Sequence, residues 1–81
     1  MPKVFNWKGY RFHFFSNEGD PLEPIHIHVR KGSNLAKFWV DPEISLANNY
    51  GFVSKELNGF KVKIGENKEL IKEKWHEHFN I

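Results

Sequence analysis

The stretch Pro24–Gly32, PIHIHVRKG, sets His26 and His28 two residues apart and follows them with Arg30 and Lys31. Imidazole changes charge nearest neutral pH, so such a pair can ligate metal, move protons or contact phosphate. On an extended strand, residues two apart share a face and lie roughly 6.6 Å apart, close enough to share a cation. His13 has the same parity in a neighbouring aromatic segment, and Glu18 in the intervening loop offers a carboxylate. Against a metal centre, the residues after His28 (VRKGSNLAK) contain no acid, and Arg30 and Lys31 would repel a cation. No metal and no cofactor are expected.

The same string resembles a truncated histidine-triad motif, which would make His28 a nucleophile toward phosphorus. Arg30 stands where a third histidine would be, and no carboxylate is identifiable beside the pair to orient it. No catalytic residue is assigned on this basis, and enzymatic activity is left open. His76 and His78, in WHEHFN, sit about 200° apart around a helix and do not chelate together. They are assigned no function.

The elements that must hold these side chains follow from periodicity. Val4 to Phe15 alternates around Lys8-Gly9 and reads as a hairpin. SNEGDPLEP is a loop, Ile25 to Arg30 is the clearest strand, and KGSN turns the chain into Leu35–Val40. Asp41-Pro42 stops that strand, Ile44 and Leu46 suggest one short strand more, and ANNYGF reads as a turn. Ser54 is the expected N-cap of a helix. Leu57, Phe60, Ile64, Ile71, Trp75 and Phe79 then recur at helical spacing. Gly65-Glu66-Asn67 marks a break, with Asn67 capping a second helix; one long bent helix is the alternative. The fold class is α+β: an antiparallel β-meander of four or five strands with one or two C-terminal helices packed on one face.

Strand alternation sorts the side chains into two sets. Tyr10, Phe12, Phe14, Ile25, Ile27, Val29, Ala36, Phe38 and Val40 form an apolar face for the helices. The opposite parity carries Arg11, His13, Phe15, His26, His28, Arg30, Lys37 and Trp39, with no carboxylate among these strands. These eight are the candidate binding residues, on a face expected to be open. Phe15 and Trp39 are expected as anchors and Arg11, Arg30 and Lys37 as charge readers, since aromatics and Arg most often dominate interfaces. A face of cations and aromatics also resembles, in kind, the stacking platforms of single-strand RNA binders.

Length and composition bound these readings. Eighty-one residues make one domain, 1–81, and buried aromatic rings must supply much of its stability: there are eight Phe, three Trp and two Tyr. There is no cysteine, so disulfides and thiolate chemistry are excluded. The net charge of +2 permits nucleic-acid contact without demanding it. No window is long and apolar enough for a membrane span, so no membrane role and a cytoplasmic location are expected.

Together YRFHFFSNEGDPLEPIHIHVRKG, AKFWVDPEISLANNYGFVSKEL and ENKELIKEKW resemble the small prokaryotic proteins of the domain of unknown function 4160 family (DUF4160). The resemblance covers nearly the whole chain, with PLEP longer than the family's usual Pro-Pro and glycines interrupting the first helix. It implies a stand-alone protein encoded beside a small partner of the DUF2442 type, in a layout similar to a toxin–antitoxin pair. The expected function is a small binding module in such a toxin–antitoxin-like or regulatory operon. The alternative is an RNA-binding or RNA-acting protein in which His26 and His28 contact phosphate or move protons. A homo-oligomer is compatible with either.

Overall fold

The first hairpin closes on Lys8 and Gly9, whose φ angles of 50° and 81° suit a two-residue turn matched to strand twist. The computed structural model describes residues 3–15 and 23–79. Within them five strands, β1 (Lys3–Trp7), β2 (Tyr10–His13), β3 (His26–Lys31), β4 (Asn34–Trp39) and β5 (Ser45–Tyr50), form an antiparallel meander in chain order. Two helices follow, α1 (Ser54–Glu66) and α2 (Lys68–Phe79). The architecture is α+β, a five-stranded meander with two C-terminal helices.

The apolar parity makes the core. Phe12, Phe14, Ile25, Ile27, Val29, Ala36, Phe38 and Val40 are all buried, and Tyr10 packs against them half-buried. From the helices Phe60, Ile64, Ile71 and Trp75 fill the other side, with Leu57 and Phe79 at the margin. Phe60 is the hub, with ring centroids 4.7 Å from Tyr10, 4.9 Å from Phe52 and 5.8 Å from Phe12. Mutually edge-on rings of this kind contribute beyond their buried area. Gly59 lets α1 approach β1, because a Cβ there would lie 3.2 Å from the Trp7 ring.

Two local details differ from the expectations above, the capping residue of α1 and the ANNYGF turn, while the break between two helices at Asn67 agrees with them. Val53, not Ser54, is the N-cap of α1, and its N–H donates to Glu56 Oε1 at 3.1 Å. Glu56, at the third helical position, thus makes the return bond of a capping box, accepting from the N-cap N–H. Residues 47–50 of the supposed ANNYGF turn extend β5 instead, with Asn48 opposite Lys37 and Asn49 opposite Ala36. Pairing with β4 overrides the turn-forming composition, and the extra residue Ala47 is taken up where the register shifts. The turn itself begins at Gly51, with φ of 98°. The helices break at one residue, Asn67, as two helices rather than one. Asn67 caps the end of α1, its Nδ2 donating to the Lys63 carbonyl at 2.9 Å.

Tyr10 ties sheet to helix: its hydroxyl donates to Glu56 Oε2 at 2.6 Å. The Glu56 carboxyl is held below its usual range, first by that bond and then by the Val53 N–H. The Tyr10 hydroxyl is correspondingly pushed up, by the same bond before its partial burial.

Candidate binding face

The non-core parity is brought together by the β2–β3–β4 registers. Arg11 faces Arg30, His13 faces His28, His28 faces Lys37 and His26 faces Trp39. Two rungs of like residues therefore lie side by side, Arg–Arg then His–His, with Lys37 extending the second. β2, β3 and β4 contain no Asp or Glu. Among the described residues no carboxylate pairs with Arg11, Arg30 or Lys37; ion pairs such as Lys63–Glu66 and Lys72–Asp41 lie elsewhere.

The imidazoles are not on an open surface, which corrects the expectation for this face. His13 and His28 are each 4% exposed and His26 1%. Phe15 stacks on His28 with ring centroids 3.9 Å apart and planes 18° apart, and lies 5.3 Å from His13. At the start of β3, Trp75 of α2 packs edge-on against His26 at 5.1 Å and against Phe14 at 5.3 Å. The helix side thus closes over His26, whose Nδ1 lies 3.1 Å from the Pro24 carbonyl oxygen. Phe15, expected as a surface anchor, serves instead as a cover for buried rings.

What remains accessible is cationic and aromatic. Arg11 is exposed, while Arg30, Lys37 and Trp39 are half-buried. Lys37 Nζ sits 4.4 Å from the Trp39 ring centroid, an arrangement that presents a charge on an aromatic shelf. Asn17, Glu18 and Gly19 fall outside the described residues. Among the described residues no group of three or more His, Cys, Asp or Glu has the geometry to hold a metal ion.

Lys3 joins this site and was not evident from alternation. Counting back from the Lys8-Gly9 turn without interruption puts Val4 opposite His13. A bulge at Val4 shifts the register, so Lys3 takes that place. Lys3, Arg11, His13 and Arg30 then line a hollow of about 160 Å³. Burial holds the His13 imidazole below its usual value, and the charges of Arg30 and Arg11 push the same way. A hydrogen bond to the Arg11 backbone opposes them. His13 Nε2 has no hydrogen-bond partner among the described residues, and it is buried.

The family model for the domain of unknown function named DUF4160 matches residues 9–76. The chain belongs to that family. The match spans every element that builds the basic face except β1, whose Lys3 lies before it. No curated protein and no solved structure gave a significant match to this DUF4160 chain. No helix among the described residues is long and apolar enough to cross a membrane.

Proposed function

We propose that this DUF4160 protein is a small binding module that docks an acidic partner protein on the strip formed by Arg11, Arg30, Lys37 and Trp39. The carrying observation is the Arg11–Arg30 rung, two guanidinium groups directly opposite each other with no carboxylate on their strands. Like charges in that position destabilise a sheet, and a pair with no carboxylate partner among the described residues favours an anionic group from outside. Arg and Trp are also the residue types that most often dominate binding energy. The partner we propose is the small DUF2442-type protein encoded beside it, within a toxin–antitoxin-like or regulatory operon in the cytoplasm.

The competing reading is an RNA-binding or RNA-acting protein. It needs ring faces free to stack on bases. Phe15 is stacked on His28, and Lys37 occupies one side of Trp39. Burial of His26 and His28 also withdraws them from phosphate contact. Both features favour a protein partner over RNA.

Co-expression with the neighbouring gene product tests this. The two proteins should co-elute in gel filtration. Trp39→Ala should abolish co-elution and Lys61→Ala, on the exposed side of α1, should not. Persistent co-elution of the Trp39 variant, or capture of RNA in place of the protein, would count against the docking reading.

A further inference from the structure

Resting on the docking reading, we propose that the cationic strip continues through Leu35 to Tyr50 and seats an amphipathic helix of the partner. The helix lies across the strands, with acidic side chains over Arg11 and Arg30 and apolar ones over Leu35 and Tyr50.

The strand registers set one row of side chains across all five strands: Asn6 faces Arg11, Arg11 faces Arg30, Arg30 faces Leu35 and Leu35 faces Tyr50. Directly opposed residues share a face, and this one has the parity opposite to buried Phe12, Val29 and Ala36. No member of the row is buried: Asn6, Arg11 and Tyr50 are exposed, and Arg30 and Leu35 are half-buried. The parallel row from Lys3 to Asn48 is closed at its centre by buried His13 and His28. An unbroken accessible track therefore runs across the strands.

Its chemistry changes halfway. Arg11 and Arg30 make one half cationic, and Leu35 and Tyr50 make the other apolar. Tyr50 is 68% exposed, the most of any large hydrophobic side chain among the described residues. Of the other exposed ones, Leu46 faces buried Phe38, Val53 caps α1 and Val62 lies within α1. Tyr50 alone of these stands on the open face. Tyr offers a large ring with a polar tip and, with Arg, is a residue type that anchors interfaces.

Backbone hydrogen bonding selects the form of the occupant. A sheet face presents side chains and no free N–H or C=O, so a segment lying over it must satisfy its own backbone, as a helix does. An extended segment would instead join a sheet edge. Adjacent strands lie about 4.8 Å apart and a helix advances about 5.4 Å per turn, so each strand of the row meets about one turn. Arg30 to Tyr50 spans two strand gaps, about 10 Å or about seven helical residues, which returns to the same helix face. The partner helix should therefore carry two acids three or four residues apart, then two apolar residues at the same spacing. Trp39, about 13 Å from Leu35 along β4, lies beyond such a helix and meets another part of the partner.

The test is calorimetry of the whole chain with the small DUF2442-type protein proposed as its partner, at several salt concentrations, together with hydrogen exchange of the complex. Tyr50→Ala should weaken binding about tenfold or more and leave its salt dependence unchanged, whereas Arg30→Glu should reduce both. Tyr50→Phe should bind within about threefold of wild type, because the ring makes the contact. Leu46→Ala, on the opposite face of β5, should bind as wild type. The β5 amides that exchange freely in the isolated chain should still do so in the complex, since a helix over the face leaves the strand edge open. New protection of those amides would mean an added strand and would overturn the proposal. Wild-type affinity for Tyr50→Ala with Arg30→Glu still weakened would also overturn it, while leaving the docking reading in place. No complex at all, or wild-type affinity for both variants, would remove the docking reading and the helix with it.

Discussion

Arg11 and Arg30 stand directly opposite one another across the β2–β3 ladder, and neither finds a carboxylate among the described residues. A fold selected for stability alone would place opposite charges there. Arg30→Glu should therefore stabilise the isolated protein by about 0.2–1 kcal/mol, the usual worth of a cross-strand ion pair. Urea unfolding at low salt measures it, and the gain should shrink as salt rises.

The Tyr10–Glu56 bond couples β2 to α1 and gives stability a pH dependence. Glu56 is held below its usual value, so its contribution is fully present above the ordinary carboxylate range. It is lost as pH falls through the lowered folded value. Tyr10→Phe should flatten this acid limb in denaturation midpoints between neutral pH and pH 3. An unchanged limb would show that the bond is not what holds the carboxyl down.

His13 acts at higher pH with the same sign. Its folded value is depressed, so stability is complete above the usual imidazole range and falls as pH drops below it, where the unfolded ring takes a proton first. Melting temperatures should decline from pH 7.5 to 5, and a flat profile would show that burial does not hold the proton off His13.

Gly51 has φ of 98°, and a Cβ there would run into the Asn34 side chain, 2.7 Å from its Cγ. Gly51→Ala combines a left-handed backbone penalty with that clash and should cost about 1–3 kcal/mol. A loss much below this in chemical denaturation would mean that β5 and Asn34 move apart at little cost.

Phe60 is fully buried between Tyr10, Phe12, Phe38 and Phe52. Phe60→Ala should cost about 3–5 kcal/mol. Domains are typically stable by only about 5–15 kcal/mol, and a chain of 81 residues belongs near the low end. The variant should be largely unfolded at 37 °C by circular dichroism.

The core was legible because period-two alternation in three strands and the 3.6-residue stripe from Phe60 to Trp75 are local signals. Turn chemistry placed Lys8-Gly9 and Gly32 correctly for the same reason. Parity grouped the residues of the candidate site on one side of the strands, but which of them stand opposite one another is set by strand register, which alternation does not specify. Burial of the imidazoles did not. It depends on Phe15 lying on His28 and on Trp75 reaching His26 from a helix 49 residues away in the chain, and neither contact has a sequence period. Lys3 was hidden by the bulge at Val4, which changes register without changing composition. The Asn-rich start of ANNYGF read as a turn because propensity ignores the partner strand that β4 provides.

The working surface proposed here is the cationic strip, and the variant that tests it most directly is Arg30→Glu, which removes positive charge while the sheet stays folded. Gel filtration and calorimetry with the proposed partner, a small acidic protein of the DUF2442 type, should show a complex for the wild-type chain. For the variant they should show at least tenfold weaker binding, about 1.4 kcal/mol, with a smaller dependence on salt. Equal affinity of the two proteins for that partner would contradict the account.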